Sequence, residues 1–438
     1  MKLIQLAGVT CVSLLLLLLL SPIQVRGQDP SDTPADSLLR LGDLLAEVRT
    51  HNPLLQASNL EAKALATRSA QISALPDPSV TIAYRPVPIL TARGTIRSQW
   101  SIEQEIPYPG KLGLQGSIAD LTAEIKRFAT ADLEEALLLQ VKQSYIELYR
   151  IQQQELRILA FTDRLRNFEE AAATRYEVGA GVQQAILKTQ LEKNSLSRLQ
   201  LELSIERRTA TEALARLLNR PVSAESRVAV TVEAPSHVEF DAIDLLEVAL
   251  SQRPEINALG TAAKRADKEI ELARKQFKPN LRFGITYFDV GRADVPPTAS
   301  GRDALGINAT ISIPLQRNRL RAQLEEARVR RSHVHVRQEA ITTSIATQVA
   351  DLMHQLRGEA RQLELFEEAL IPQAETALQA TLNSYATGRT DFLDLLDSER
   401  TLFSLGMSFD NTLARYLRAA AALERALGVD SLADLINY

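Results

Sequence analysis

The chain has 438 residues, 54 acidic against 50 basic side chains for a net charge of -4, and only 5% aromatics. A balance this close to neutral gives no field strong enough to select nucleic acid or an acidic surface. Eighteen glycines and eighteen prolines are sparse punctuation, so the elements must be long.

The first 27 residues read as a secretory signal. Lys2 supplies the positive end, Leu14 to Leu20 the apolar core, and Val25-Arg26-Gly27 a small-residue cleavage site before Gln28. The apolar run is shorter than the roughly 20 residues a membrane span needs. The one cysteine, Cys11, precedes the leucine run, where a lipid-attachment cysteine would follow it. The mature chain is therefore expected without lipid anchor, thiol or disulfide, held together by packing.

From Leu44-Leu45-Ala46-Glu47-Val48 and His51-Asn52-Pro53 the first of two repeats begins. Period-two alternation follows. Val80, Ile82 and Tyr84 share one face against Thr81, Ala83 and Arg85; Trp100, Ile102 and Ile106 oppose Arg97, Gln99, Ser101, Glu103 and Glu105. Two strands are expected over about 79–106. Between Ser117 and Val178 there is neither Gly nor Pro, about 60 residues or roughly 90 Å of helix. Apolar residues recur there at helical spacing (Leu121, Ile125, Phe128; Val141, Tyr145, Leu148), leaving one wet face. A second clean run, Val182 to Arg220, completes a helical hairpin over about 112–220. Its tip is Val178-Gly179-Ala180-Gly181, and Ala171-Ala172-Ala173 permits close helix approach beside it.

The plan then recurs about two hundred residues later. Leu245-Leu246-Glu247-Val248 and Arg253-Pro254 answer the first opening. Lys278-Pro279 answers Asp77-Pro78, Ile313-Pro314 answers Ile106-Pro107, Tyr385-Ala386-Thr387-Gly388 answers Tyr176-Glu177-Val178-Gly179, and Ala422-Leu423 answers Ala213-Leu214. Leu281, Phe283, Ile285 and Tyr287 alternate with Arg282, Gly284 and Thr286; Leu305, Ile307, Ala309, Ile311 and Ile313 alternate with Gly306, Asn308, Thr310 and Ser312. Strands are expected over about 280–313 and a hairpin over about 317–427, with its tip at Thr387-Gly388-Arg389-Thr390. The organisation reads as signal 1–27, first repeat 28–221 and second repeat 222–438.

Strands of this length with one apolar and one polar face suit a membrane barrel with a wet lumen. A soluble sheet covering a core alternates in the same way. Export, and helices too long to cover a small sheet, favour the barrel. Four strands cannot close one, since about eight is the minimum. Open edges in lipid leave unpaired backbone groups at several kcal/mol each. Other copies of the chain must complete the wall: two give eight strands with a filled interior, three give twelve with room for a passage.

With these features the chain resembles the TolC-type outer-membrane efflux proteins over nearly the whole mature sequence. The resemblance rests on the repeat, on the helix–strand–strand–helix–helix order of each half, and on local motifs. These are Tyr385-Ala386-Thr387-Gly388 with Asp394-Leu395-Leu396-Asp397, Gln104-Glu105-Ile106-Pro107 before Gly110-Lys111, and the closing Ala-Leu segments. It implies a mainly α chain with a membrane β portion, a homotrimer with a twelve-stranded barrel in the outer membrane and a long periplasmic α-barrel. It also implies a passive exit duct that carries small molecules or metal cations across the periplasm and outer membrane, docked onto a periplasmic adaptor and an inner-membrane pump. Gln104-Glu105-Ile106-Pro107 with Gly110-Lys111-Leu112 is similar to the heavy-metal and cation efflux branch.

The resemblance places a periplasmic gate at Asp394, Asp397, Tyr385 and Arg389. Asp394 and Asp397, three apart, project from one helical face, so three copies would set six carboxylates around one axis. The same acids also suit a helix N-terminus. Tyr385 matches a latch tyrosine; the family's latch arginine position is Thr390 here, and Arg389 is the expected substitute. On the partner helix Gln184 and Ala185 stand where the family is polar or acidic. Adaptor contacts are implied at Val178, Gly179, Ala180, Gly388 and Thr390.

The sequence offers no catalytic constellation, no cofactor fingerprint and no metal cluster. His333 and His335 point to different sides of a helix, and no P-loop or dinucleotide motif occurs, so the chain is not read as an enzyme. The competing readings are a periplasmic adaptor, which carries one hairpin and a soluble β-rich region, and a structural coiled-coil protein of the envelope, which needs no amphipathic strands.

Overall fold

The computed structural model describes residues 38–177, 183–223, 228, 242–292 and 301–432. The signal segment and the first hairpin tip, including Val178, Gly179 and Ala180, lie outside the described residues.

Three short helices open the fold: α1 (Leu41–His51), α2 (Pro53–Ala66) and α3 (Arg68–Ser73). Asn52 explains the first break. Its side chain accepts from the Leu54 and Leu55 amides at 3.0 and 3.2 Å, with Pro53 as the first helical residue. Its Nδ2 donates to the Leu217 carbonyl at 2.8 Å, pinning the cap to the end of a distant helix. Strands β1 (Ser79–Thr91) and β2 (Gly94–Ile106) follow, then helices α4 (Lys111–Glu177) and α5 (Gln183–Leu218). The 67 residues of α4 extend about 100 Å.

The second half gives α6 (Ala242–Gln252), α7 (Pro254–Lys275), β3 (Asn280–Gly291), β4 (Ala304–Ser312), α8 (Arg317–Leu365), α9 (Ile371–Ala386) and α10 (Phe392–Leu427). Between α8 and α9, Phe366–Leu370 forms one π turn. Pro372, at the start of α9, has no N–H for the ladder, and the widened turn absorbs the loss. Gly358 leaves α8 unbroken. Gly428 closes α10 in the left-handed conformation, φ 73°.

Four buried clusters string along the helix seams. One joins α1, α4 and α5 through Val48, Val141, Leu148 and Leu214. A second runs toward the tips through Ile158, Phe161, Leu165, Leu196 and Leu396, with Ala172 of the alanine triplet inside it. The other two tie α8 to α10.

The four strands make one antiparallel sheet in the order β1-β2-β3-β4, so β2 and β3 join the two halves. β1 runs beyond the alternating stretch read from the sequence, to Thr91. Pro86 and Pro88 obscured that extension; they are tolerated because β1 is an edge strand, and the register shifts between Tyr84 and Ile89.

Candidate duct wall and gate

The sheet's register sorts its side chains. Val80, Ile102, Ile285 and Ile307 form one row across all four strands; Ile82, Trp100, Tyr287 and Leu305 form the next; Ile106, Leu281 and Ile311 a third. None of these faces a core: Val80 is 65% exposed, Ile307 84%, and Trp100 49%. Such a continuous apolar patch on a surface calls for an apolar environment.

The opposite face is polar. Thr81, Ser101, Thr286 and Gly306 are in register, as are Ser79, Glu103, Gly284 and Asn308. Asn308 Nδ2 donates to Glu103 Oε1 at 3.1 Å, reaching across the intervening strand. Gly284 makes this possible, because a Cβ there would stand 2.7–2.9 Å from the Asn308 and Glu103 side chains. Arg282 lies between Glu103 and Glu105, at 3.7 and 3.5 Å. Where the strands meet the helices, buried Lys111 donates to the Lys278 carbonyl at 3.0 Å and to Asn280 Oδ1 at 2.8 Å. Among the described residues no helix is long and apolar enough to cross a membrane.

At the other end of the helices lie the sequence-predicted gate residues. Gly388, φ 71°, turns the chain after α9; its amide donates to the Tyr385 carbonyl, and that of Arg389 to Ser384. Asp391 caps α10, its Oδ1 accepting from the Asp394 amide at 3.0 Å, and Thr390 Oγ1 donates to Asp394 Oδ2. Phe392, Leu395 and Leu396 turn inward, while Asp394 and Asp397 are exposed on the other side. The Tyr385 ring packs edge-on against Phe392, 6.1 Å between centroids, and Phe168 of α4 meets Phe392 at 6.2 Å. Arg389 is exposed and forms no ion pair among the described residues. Gln184 is exposed and Ala185 is buried. The turn thus joins Thr390 to Asp394 and Tyr385 to Phe392, while Arg389 and Asp397 stand exposed nearby.

What the sequence reading missed is a charge ladder on the seam between α4 and α10. Lys142 pairs with Glu424 at 2.7 Å, Arg157 with Asp410 at 2.6 Å and Arg164 with Glu399 at 2.9 Å. Between the first two, Glu147 is held by both Arg150 and Arg418. Nearer the tip, Arg400 Nε donates to Glu192 of α5 at 2.8 Å. Glu399 and Asp410 are 1% and 4% exposed; burial raises both carboxyls above their ordinary range, and Arg164 and Arg157 pull them back. Arg150, Arg157 and Arg164 recur every seventh residue, a spacing that marks a helical seam but does not name the acids across it.

Long helices thus carry a four-stranded sheet with one exposed apolar face and one polar face. The family pattern described as outer membrane efflux protein matches residues 245–429. The chain is 22% identical over 411 residues to outer membrane protein TolC of Vibrio cholerae, 91% of this chain and 92% of TolC. To the cobalt-zinc-cadmium resistance protein CzcC of Cupriavidus metallidurans it is 21% identical over 339 residues, 77% of this chain and 78% of CzcC. To the alkaline protease secretion protein AprF of Pseudomonas aeruginosa it is 29% identical over 307 residues, 67% of this chain; the match spans only 60% of AprF. The fold superposes on crystallised CusC with a TM-score of 0.72 at 19% identity, covering 89% of this chain and 92% of CusC. The chain thus resembles the outer membrane efflux proteins, whose members are channel proteins, and carries their pattern over residues 245–429. It is an outer-membrane protein with a periplasmic helical extension.

Proposed function

We propose that the protein is the outer-membrane exit duct of a tripartite efflux system, a passive homotrimeric conduit and not an enzyme. The observation that carries this is the sheet: three exposed apolar rows, a polar reverse face and two unpaired edges in one four-stranded unit. Backbone groups at such edges cannot stay unpaired in lipid. Three copies supply twelve strands, enough to enclose water. The hairpins then reach inward through the periplasm toward an adaptor and an inner-membrane pump. In this reading Asp394, Asp397, Tyr385 and Arg389 form the gate, and Gly388 and Thr390, with Val178, Gly179 and Ala180 of the first tip, meet the adaptor.

A metal-cation cargo is the reading favoured by the Gln104-Glu105-Ile106-Pro107 segment and by similarity to a metal-resistance protein. The decisive experiment for the duct is the mass of the detergent-solubilised mature protein, with its conductance in a planar bilayer. A trimer that conducts is expected; a monodisperse monomer soluble without detergent ends the proposal. Cargo is settled separately, by testing metal and drug tolerance in a deletion strain carrying the gene.

A further inference from the structure

All four strands join helices at one end of the sheet, near Ser79, Ile106, Asn280 and Ser312. There the exposed apolar side of β4 continues through Ile313 and Leu315, 66% and 79% exposed, into Arg317, Arg319 and Arg321, all exposed. No acidic residue occurs from Ile311 to Leu324. Arg319 and Arg321 make no ion pair among the described residues. A second segment joins this patch: the Arg317 guanidinium lies 5.9 Å from the centre of the Phe277 ring, and exposed Arg274 and Lys278 flank Phe277.

These arginines do nothing for the helix they begin. The first turn of α8 contains no acid, and the positive end of a helix dipole repels cations. Charge placed against local preference, unpaired, and directly continuous with a lipid-suited surface matches an anionic surface at the edge of that lipid. Resting on the reading of the sheet as a membrane wall, we infer that Arg317, Arg319 and Arg321, with Arg274 and Lys278, form a basic collar that binds anionic phospholipid headgroups of the periplasm-facing leaflet. The long guanidinium arms suit this task, pairing two donors with phosphate oxygens while their methylene stems stay along apolar neighbours.

The chain carries its own reporter. Trp100 is the only tryptophan and is half exposed on the outward face of β2. The trimer is reconstituted in phosphatidylcholine, and brominated phosphatidylglycerol or brominated phosphatidylcholine is exchanged in while Trp100 emission is followed. Quenching by the anionic lipid is expected at about fivefold lower mole fraction at low salt, and the preference should shrink as salt rises. Arg317→Gln/Arg319→Gln/Arg321→Gln should bring the two lipids together while the trimer keeps its thermal stability. Equal quenching by both lipids in the wild type overturns the collar but leaves the duct standing, as does a preference that ignores salt or survives the triple substitution. If neither lipid quenches Trp100, the membrane reading of the sheet itself fails. The wild-type salt titration decides the matter even if the triple variant does not assemble.

Discussion

Arg157 and Asp410 meet over a notch made by a glycine. The guanidinium donates from Nε to Asp410 Oδ2 at 2.6 Å and from Nη2 to Oδ1 at 2.9 Å, and a Cβ on Gly406 would lie 2.7 Å from Nη1. A helix-interior glycine costs about 1 kcal/mol relative to alanine; here it admits a cation that neutralises a nearly buried carboxylate.

The pair should respond asymmetrically to mutation. Arg157→Leu strands a carboxylate whose side chain is 3% exposed, whereas Asp410→Asn leaves an arginine that is 37% exposed and free to reach water. The first should cost about 2–4 kcal/mol, toward the range for broken buried pairs, and the second about 1 kcal/mol. Thermal unfolding of the detergent-solubilised protein measures both; equal losses would show that the arginine is not compensating burial.

Glu135 should impose a pH dependence. Burial, then the like charge of Asp132, raises its carboxyl from 4.5 to about 7, against the pull of Arg425 and Arg253. The folded state therefore prefers the protonated acid. Its contribution is complete below pH 4.5 and is lost as pH rises through about 7. Glu135→Gln should stabilise the fold at pH 8 by about 2 kcal/mol, less than the roughly 3 kcal/mol of an unscreened shift because some solvent contact remains, and hardly at pH 4.5. Melting midpoints at the two pH values give the answer, and an equal gain at both would remove Glu135 as the cause.

The two faces of the sheet should tolerate charge very differently. Ile285→Arg puts a cation on the apolar face, at about 2–4 kcal/mol if it lies near the bilayer midplane. Thr286→Arg, its immediate neighbour, points to the polar face. The yield of heat-sensitive oligomer from membranes should fall for the first and hold for the second, with altered conductance in the second. Similar yields from both would reverse the assignment of the faces or remove it.

At the tip, Asp394→Asn/Asp397→Asn should weaken cation preference, read as a smaller shift in reversal potential under a salt gradient. Asp397→Asn is the cleaner single change, because Asp394 also holds Thr390. Arg389→Ala should raise leakage if Arg389 is the latch cation; unchanged conductance and drug leakage would discard that role.

The strands were legible because an edge-to-edge sheet with two unlike faces writes period two into the chain, and the helices because punctuation is absent for dozens of residues. The end of β1 was not legible, since Pro86 and Pro88 argue against a strand unless its outer edge is known to be unpaired. The ladder between α4 and α10 was equally hidden. Asp410 and Glu399 look like ordinary wet-face acids until the antiparallel partner supplies Arg157 and Arg164. Around the tip, composition put acids at the start of α10, but only the geometry divides their labour: Asp391 caps the helix, Asp394 ties down Thr390, and Asp397 stays free of both tasks.

The prolines of β1 carry one more implication. Two residues without amide hydrogens cannot take part in a continuous ladder, so the regular stretch that β1 can offer a newcomer is Ser79–Tyr84, the part nearest the helices. In the proposed trimer that stretch is where a sibling strand can pair with β1, closing the seam from its lower end. An unaccompanied protomer, with its upper rim blunted, gives stray strands little to grip.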